Sequence, residues 1–466
     1  MATPANEMTP MRRQYFQIKE RNQDCILFFR LGDFYEMFDE DAKTAARELD
    51  LTLTTRDRNK PKEEQTPMCG VPYHSVDAYI ARLVARGYKV AICEQMEDPT
   101  QAKGLVERDV SRIVTPGTVT ESCMLEERKN NYMGCLYGQD GRYGVAFCDL
   151  STGSFYVTVC ADARAASSEL GRFAPTEVLR GGENCKDPII EDALVNRLKC
   201  CVDEAVEGQF DLQAAQNLLE KHLNAPLAEL GLTGLPCAVN AAGTLLELLL
   251  TLQKNDLKHI RQLQFYTTER FMELDLDARR NLELLTETMR NKEKKGSLLW
   301  VLDKTKTAMG GRMIRSWVEQ PLMDPKEILS RQNAVAELVE ETIRRGELED
   351  ALKEMTDLER VMTRIVTGTV NGRELHSLAQ GLRALPAIKS NLCAANAQML
   401  QRLGAAIDDL QEFAAQIENT LVDEPPITIR EGGLIRPGAD AEADRLRDIM
   451  NGGTGTILQI EAEERA

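Results

Sequence analysis

Phe34 and Glu36 are the first pair of side chains in this 466-residue sequence whose types and spacing could do chemistry together. The apolar run Cys25 to Phe29 reads as a buried strand, Gly32-Asp33 as a two-residue hairpin turn, and Phe34 to Phe38 as the returning strand. Alternation then puts Phe34 and Glu36 on one face and Tyr35 and Met37 on the other. If the Tyr35 face packs on the domain, a flat apolar ring and a carboxylate stand out together beside the turn. Taken alone, the pattern more readily describes a core phenylalanine and a solvated glutamate. A second candidate is cationic. Arg56, Arg58, Lys60 and Lys62 cluster in one stretch, diluted by Asp57, Glu63 and Glu64. Arg56 and Arg58 are candidates for phosphate contacts, which position a nucleic acid without reading it, with a merely solvated loop as the alternative. A third is Asp149, an acid on a strand before the turn Ser151-Thr152-Gly153. Two-metal phosphate chemistry needs several convergent carboxylates. Neighbouring strands do not supply them, so Asp149 reads first as a turn-stabilising acid. Four scattered histidines and twelve cysteines without a CxxC pair give no metal-ligand set.

These residues need a scaffold, and length and composition bound it. The chain is long enough for three or four domains of ordinary size. Its 43% apolar content supports buried cores, and 28% charged residues make an ordinary soluble surface. The longest apolar stretch, Leu245 to Leu252, is broken by Glu247 and falls short of a membrane span. The N-terminus has no apolar signal segment. Cysteine usage fits reduced, mostly buried thiols, and a cytoplasmic location is expected. The net charge of −17 argues against a generic nucleic-acid binder. The first 122 residues are nearly charge-balanced, so DNA binding would have to come from a local patch.

In chain order, a helix over Thr9 to Arg21 precedes the hairpin. Asp39 is placed to N-cap a following helix, with Glu40 and Asp41 in its first turn. LTLTTRDRN (51–59) reads as a strand entering the basic loop. Ser75 is a candidate N-cap, Asp77 falls in the first helical turn, Gly87 ends that helix, and Tyr88 to Glu94 is a strand. SRIVTPGTVTES (111–122) reads as a linker with a Thr-Pro-Gly break. NNYMGCLYG, RYGVAFCDL, GSFYVTVC and PTEVLRG are strand-like and open a second α/β domain. From about Ala238 the pattern is nearly all helical, and a helical scaffold is its plainest meaning. DEPPITIREGGLIRPGADAEADRLRDIM (423–450) reads as a Pro-rich connection before a final charged helix.

The words TPMRRQY, FFRLGDFYEMF, PMCGVPYHSVDAYIARLV, VAICEQMEDP, VERDVSRIVTPGT, LDLDARRNLEL and LDKTKTAMGGRMIRSW, in this order, resemble the MutS family of bacterial DNA mismatch-recognition proteins. The resemblance runs from the N-terminus to the last residue. It implies a multidomain α/β plus all-α fold. Residues 1–122 would form an α/β mismatch-binding domain and 123–255 a ribonuclease-H-like α/β connector. Residues 256–430 would form the first segment of a helical core or lever domain, and 431–466 the start of a truncated clamp. It also implies a second core segment and an ATPase domain beyond Ala466. No G-x-x-x-x-G-K-[ST] is present, and NGGTGTIL (451–458) has no lysine to reach a phosphate. A non-enzymatic fragment without a cofactor is therefore expected, with ATP and Mg implied for the missing domain.

For the site, the resemblance implies that Phe34 wedges into mismatched double-stranded DNA from the minor groove and that Glu36 contacts the exposed base. Arg56, Arg58, Met68 and Gly70 become candidate backbone contacts, with Met68, Gly70 and His74 bordering a loop near the same groove. His74 alone reads as a capping or core residue. A homodimer, a downstream MutL-like repair ATPase and nucleoid association when bound are implied for the full-length family, with no membrane. Two other classes stay open: a metal-dependent nuclease of ribonuclease-H-like type using Asp149, and a helical interaction scaffold.

Overall fold

The apolar run at Cys25 forms β1 (Cys25–Leu31), and the chain returns through the turn as β2 (Phe34–Phe38). In this computed structural model the described residues are 9–55, 65–97, 105–206, 208–286, 295–426 and 429–465. Around the hairpin stand α1 (Pro10–Arg21), α2 (Asp39–Leu49), β3 (Met68–Pro72), α3 (Val76–Val84), β4 (Lys89–Gln95) and β5 (Arg108–Val114). The sheet order is β3-β2-β1-β4-β5, with β1 parallel to β4 and the other pairs antiparallel. Central β1 is apolar without alternation because both faces are covered. Leu27, Phe29 and Phe38 pack with Tyr15 and Ile18 of α1. On the other face Phe28, Tyr35 and Met37 pack with Ala42 and Ala45 of α2 and Ile80 and Leu83 of α3.

Three local expectations need correction. Asp39 does not cap α2 with its side chain. The N-cap position is Phe38, still extended, and Asp39 turns the corner itself at φ +52, donating its N–H to the Pro67 carbonyl (3.0 Å). With no loop between β2 and α2, a residue tolerant of the left-handed region is needed there, and aspartate is one. Asp41 is buried and does more than complement a helix dipole. It accepts from Lys19 Nζ (2.9 Å), the Tyr15 hydroxyl (3.3 Å) and the Leu27 N–H (3.0 Å), tying α1, β1 and α2 together. Residues 51–55 do not form a strand; Thr54 makes a single bridge to Met68. The rest of that stretch, with Arg56 and Arg58, lies outside the described residues.

The proposed linker is also not loose chain. Residues 111–114 belong to β5, and Val114 pairs with Val90. Thr115, Thr118 and Val119 beyond it are buried. The Thr115 hydroxyl and the Gly117 N–H (2.9 Å) donate to the Glu177 carboxylate of the next sheet, and Lys89 Nζ lies 2.7 Å from Asp203.

That second sheet contains β6 (Met133–Gln139), β7 (Arg142–Asp149), β8 (Ser154–Cys160), β9 (Glu177–Gly182), β10 (Cys201–Glu204) and β11 (Gln264–Phe265), in the order β10-β9-β6-β7-β8-β11. Helix α4 (Ala163–Phe173) covers one face, next to a short α5 (Pro188–Glu191). Helices α6 (Leu212–Leu223) and α7 (Pro236–Gln253) cover the other. The apolar stretch at 245–252 is thus a core helix against a sheet.

The described chain divides into two compact units, 1–303 with 312–321, and 304–311 with 322–466. Unit one also carries α8 (Leu276–Asn281) and α9 (Leu298–Leu302); α10 spans Ala308–Glu319. The second unit is helical from α11 (Pro325–Glu340) and α12 (Thr342–Lys353) through α13 (Leu358–Thr367), α14 (Gly372–Arg383) and α15 (Leu385–Cys393) to α16 (Gln398–Ala406) and α17 (Gln411–Thr420). One of its cores joins Val361, Leu378, Leu382, Ala414 and Ile417. A capping box at Asn371 and Glu374 starts α14. The stretch 423–450 is only partly a connection. Leu421 bridges Ile435, and α18 (Ala441–Glu464) has begun by Ala441, where Asp440 accepts from the Ala443 N–H (2.7 Å). NGGTGTIL lies within this helix. No described helix is long and apolar enough to cross a membrane.

Candidate nucleic-acid interface

The hairpin register fixes the candidate pair. Leu31 pairs with Phe34 and Phe29 with Glu36, across a turn in which Gly32 has φ +61 while Asp33 keeps a negative φ. A glycine at the first turn position supplies that left-handed backbone without strain. β3 completes the row, with Phe34 opposite Pro72, Glu36 opposite Gly70 and Phe38 opposite Met68. Met68 and Gly70 are therefore strand residues beside the pair, with Met68 at the start of β3. A Cβ at Gly70 would meet the Tyr35 carbonyl at 3.2 Å, Glu36 Cγ at 3.5 Å and Phe34 Cδ1 at 3.8 Å. The missing side chain leaves that space to the pair.

Phe34 and Glu36 share a face, but they are not equally presented. Phe34 is 48% exposed, whereas Phe28, Phe29, Tyr35 and Phe38 of the same two strands are buried. Glu36 is only 9% exposed, so the expected carboxylate standing out in solvent is corrected. β2 is an interior strand, and Glu36 sits between Phe29 and Gly70 with Phe38 beyond it. The ring projects at the tip, and the acid is recessed behind it.

Two arginines at the hairpin, Arg108 and Arg30, hold the fold instead of facing solvent. Arg108 is buried, with Nε donating to the Arg30 carbonyl (2.7 Å) and its guanidinium 5.2 Å from the Phe29 ring centroid. Burial lowers its pKa from the usual arginine range. Arg30 is buried on the opposite face of β1. Sequence reasoning passed over both. The available signal was Arg30 itself, a charge inside the apolar run FFRLGDF. His74 is exposed on the turn Tyr73–Ser75, edge-on to Tyr73 at 6.4 Å, and is neither cap nor core. Ser75 occupies the N-cap position of α3 without a capping bond; its hydroxyl donates to the Pro72 carbonyl (3.3 Å).

Asp149 is fully buried and fully used. Oδ1 accepts from the Ser151 N–H (2.9 Å) and hydroxyl (2.7 Å), and Oδ2 from Asn130 Nδ2 (2.7 Å) and the Asn131 N–H (3.2 Å). Such a carboxylate is a turn staple. Among the described residues no cluster of acids, histidines or cysteines has metal-binding geometry.

Comparison with known proteins follows the chain nearly end to end. Residues 9–123 match the model of MutS domain I, 131–261 that of MutS domain II and 277–465 that of MutS domain III. Similar curated proteins are named DNA mismatch repair protein MutS. That of Ruminiclostridium cellulolyticum is 46% identical over 461 residues, covering 98% of this chain and 52% of the relative. That of Acetivibrio thermocellus is 44% identical over 465 residues, with 98% and 52% covered. That of Lachnoclostridium phytofermentans is 43% identical over 460 residues, with 98% and 49% covered. The chain spans about half the length of the curated relatives it matches.

Proposed function

The chain belongs to the MutS family, and we propose that its first domain recognises mismatched or unpaired bases in duplex DNA by wedging Phe34 into the helix from the minor groove. The observation that carries this reading is the single exposed aromatic of the hairpin, Phe34, held at the tip of an otherwise buried strand pair. Opening a base step costs a few kcal/mol, least where pairing is already defective. A flat ring on a rigid strand therefore selects deformable sites without reading a base code. Glu36, recessed behind the ring, would meet only a base edge brought down on to Phe34 and would oppose phosphates of intact duplex. Arg56 and Arg58 remain proposed phosphate contacts, and Met68 and Gly70 serve as the floor beside the ring.

In this reading residues 1–122 bind the mismatch, 123–255 are the connector, 256–430 the lever and 431–466 the start of the clamp. The mixed sheet of β6 to β10, three antiparallel strands followed by parallel ones, supports the ribonuclease-H-like label for the connector. For the longer relatives' architecture we propose a homodimer, an ATPase with ATP and Mg, and a MutL-like partner. A nuclease built on Asp149 is disfavoured, because both carboxylate oxygens are already engaged by Ser151, Asn130 and Asn131. The proposal is tested by fluorescence anisotropy of the 466-residue chain with labelled G·T, unpaired-T and fully paired duplexes at one salt concentration. Tighter binding of the first two is expected, and equal affinity for all three would overturn the reading.

A further inference from the structure

A wedge works only if its direction is set before DNA arrives, and a two-residue Gly-Asp turn does not set it alone. The residue that does so is buried two positions before the turn. Arg30 is 9% exposed, and its Nε donates to the carbonyl of Gly32, the first turn residue. Its guanidinium carbon lies 3.8 Å from the Tyr73 ring centroid and 5.4 Å from that of Tyr35. Arg30 Nη1 is 3.8 Å from Glu94 Oε2, and the Tyr35 hydroxyl donates to Glu94 Oε1. Tyr73 also holds the second turn residue, because its N–H donates to the Asp33 carbonyl (2.9 Å). Arg108 locks the Arg30 backbone from the Phe29 side through its 2.7 Å bond to the Arg30 carbonyl. Both turn carbonyls are thus tied to one stack of Tyr73, Arg30 and Tyr35, anchored on Glu94.

We propose that Arg30 is the positioning residue of the Phe34 wedge, clamping the Gly32-Asp33 turn between Tyr73 and Glu94 so that the ring is preorganised for insertion. This rests on the reading of Phe34 as the wedge. A phosphate-binding role does not fit, since the guanidinium is enclosed by two rings, a carboxylate and a carbonyl. Lysine cannot replace it, because an ammonium lacks the planar face that stacks on Tyr73 and the Nε that reaches Gly32. A looser turn must be ordered during binding, which lowers affinity only for the complex that uses the ring.

The test uses the 466-residue chain and duplexes carrying 2-aminopurine beside an unpaired T. Fluorescence reports unstacking, anisotropy reports affinity, and thermal melting reports the fold. R30K is expected to keep homoduplex affinity and a cooperative melt. It should lower mismatch preference by about tenfold and blunt the 2-aminopurine rise. E94Q, which removes the anchor's charge, should fall between R30K and the wild type. If R30K does not melt cooperatively, Y73L, which removes the stacking ring and keeps the backbone N–H that donates to Asp33, decides by the same readouts. Loss of preference in F34A combined with wild-type preference and 2-aminopurine signal in the folded R30K, or in Y73L, overturns the clamp and leaves the wedge standing. Wild-type preference in F34A overturns the wedge, and the clamp with it.

Discussion

Phe34 and Glu36 lie two positions apart and differ sharply in presentation. The alternation FYEMF was enough to put them on one face and to bury Tyr35 and Met37. It could not show that Glu36 is recessed, because that depends on β3 pairing from thirty residues downstream and on the bare Gly70 opposite. Nor could it show the fate of Arg30, whose partners Tyr73 and Glu94 come from two other elements. The recess gives Glu36 a definite expected effect. A carboxylate facing intact duplex opposes phosphates, so E36Q should tighten homoduplex binding several-fold and narrow mismatch preference from that side. Anisotropy titrations at two salt concentrations check this, since an electrostatic origin requires the gain to shrink as salt rises. An unchanged homoduplex affinity would mean that the acid acts only on the base.

At the scale of elements, the hairpin and the helix after it were legible because each rests on local signals: a continuous apolar run, a Gly-first turn and an acidic first turn. What was not legible is set by tertiary pairing. Residues 111–114 look like linker by composition and become β5 because β4 offers an edge. Residues 51–55 look like a strand and find only a single bridge. β10 and β11 are too short to give a pattern. Asp41 shows the same limit, since its acidity suggested a dipole role while its geometry makes it the joint of α1, β1 and α2. D41N is therefore expected to cost about 2–4 kcal/mol, the range for breaking a buried charged network. Urea denaturation measures it. F34A in the same assay should be near neutral, because an exposed ring contributes little to the core.

For the molecule as a whole, the family words identified the chain, and the acidic total charge is compatible with the proposed DNA binding because that proposal needs only a local patch. The first two domains are joined by a buried acid that no sequence pattern revealed. Burial raises the pKa of Glu177 to about 7; nearby Asp203 adds to the rise, and the Thr115 hydroxyl, the Gly117 N–H and Lys89 oppose it. Asp24 also faces this cluster through Lys89. The folded chain thus holds that proton more tightly than the unfolded chain. Stability therefore falls as pH rises from the ordinary carboxylate range through the raised pKa of Glu177, and levels off once the group is ionised in both states. E177Q, which still accepts from Thr115 and Gly117, should melt higher than wild type at pH 8, by at most about 3 kcal/mol of stability. The advantage should vanish at pH 5. The central claim, however, is the wedge, and one ratio tests it most directly: homoduplex Kd over unpaired-base Kd, measured for wild type and F34A at the same ionic strength. The account predicts a wild-type ratio well above one that collapses to about one in F34A, with homoduplex affinity unchanged. A ratio that survives in a folded F34A would contradict it.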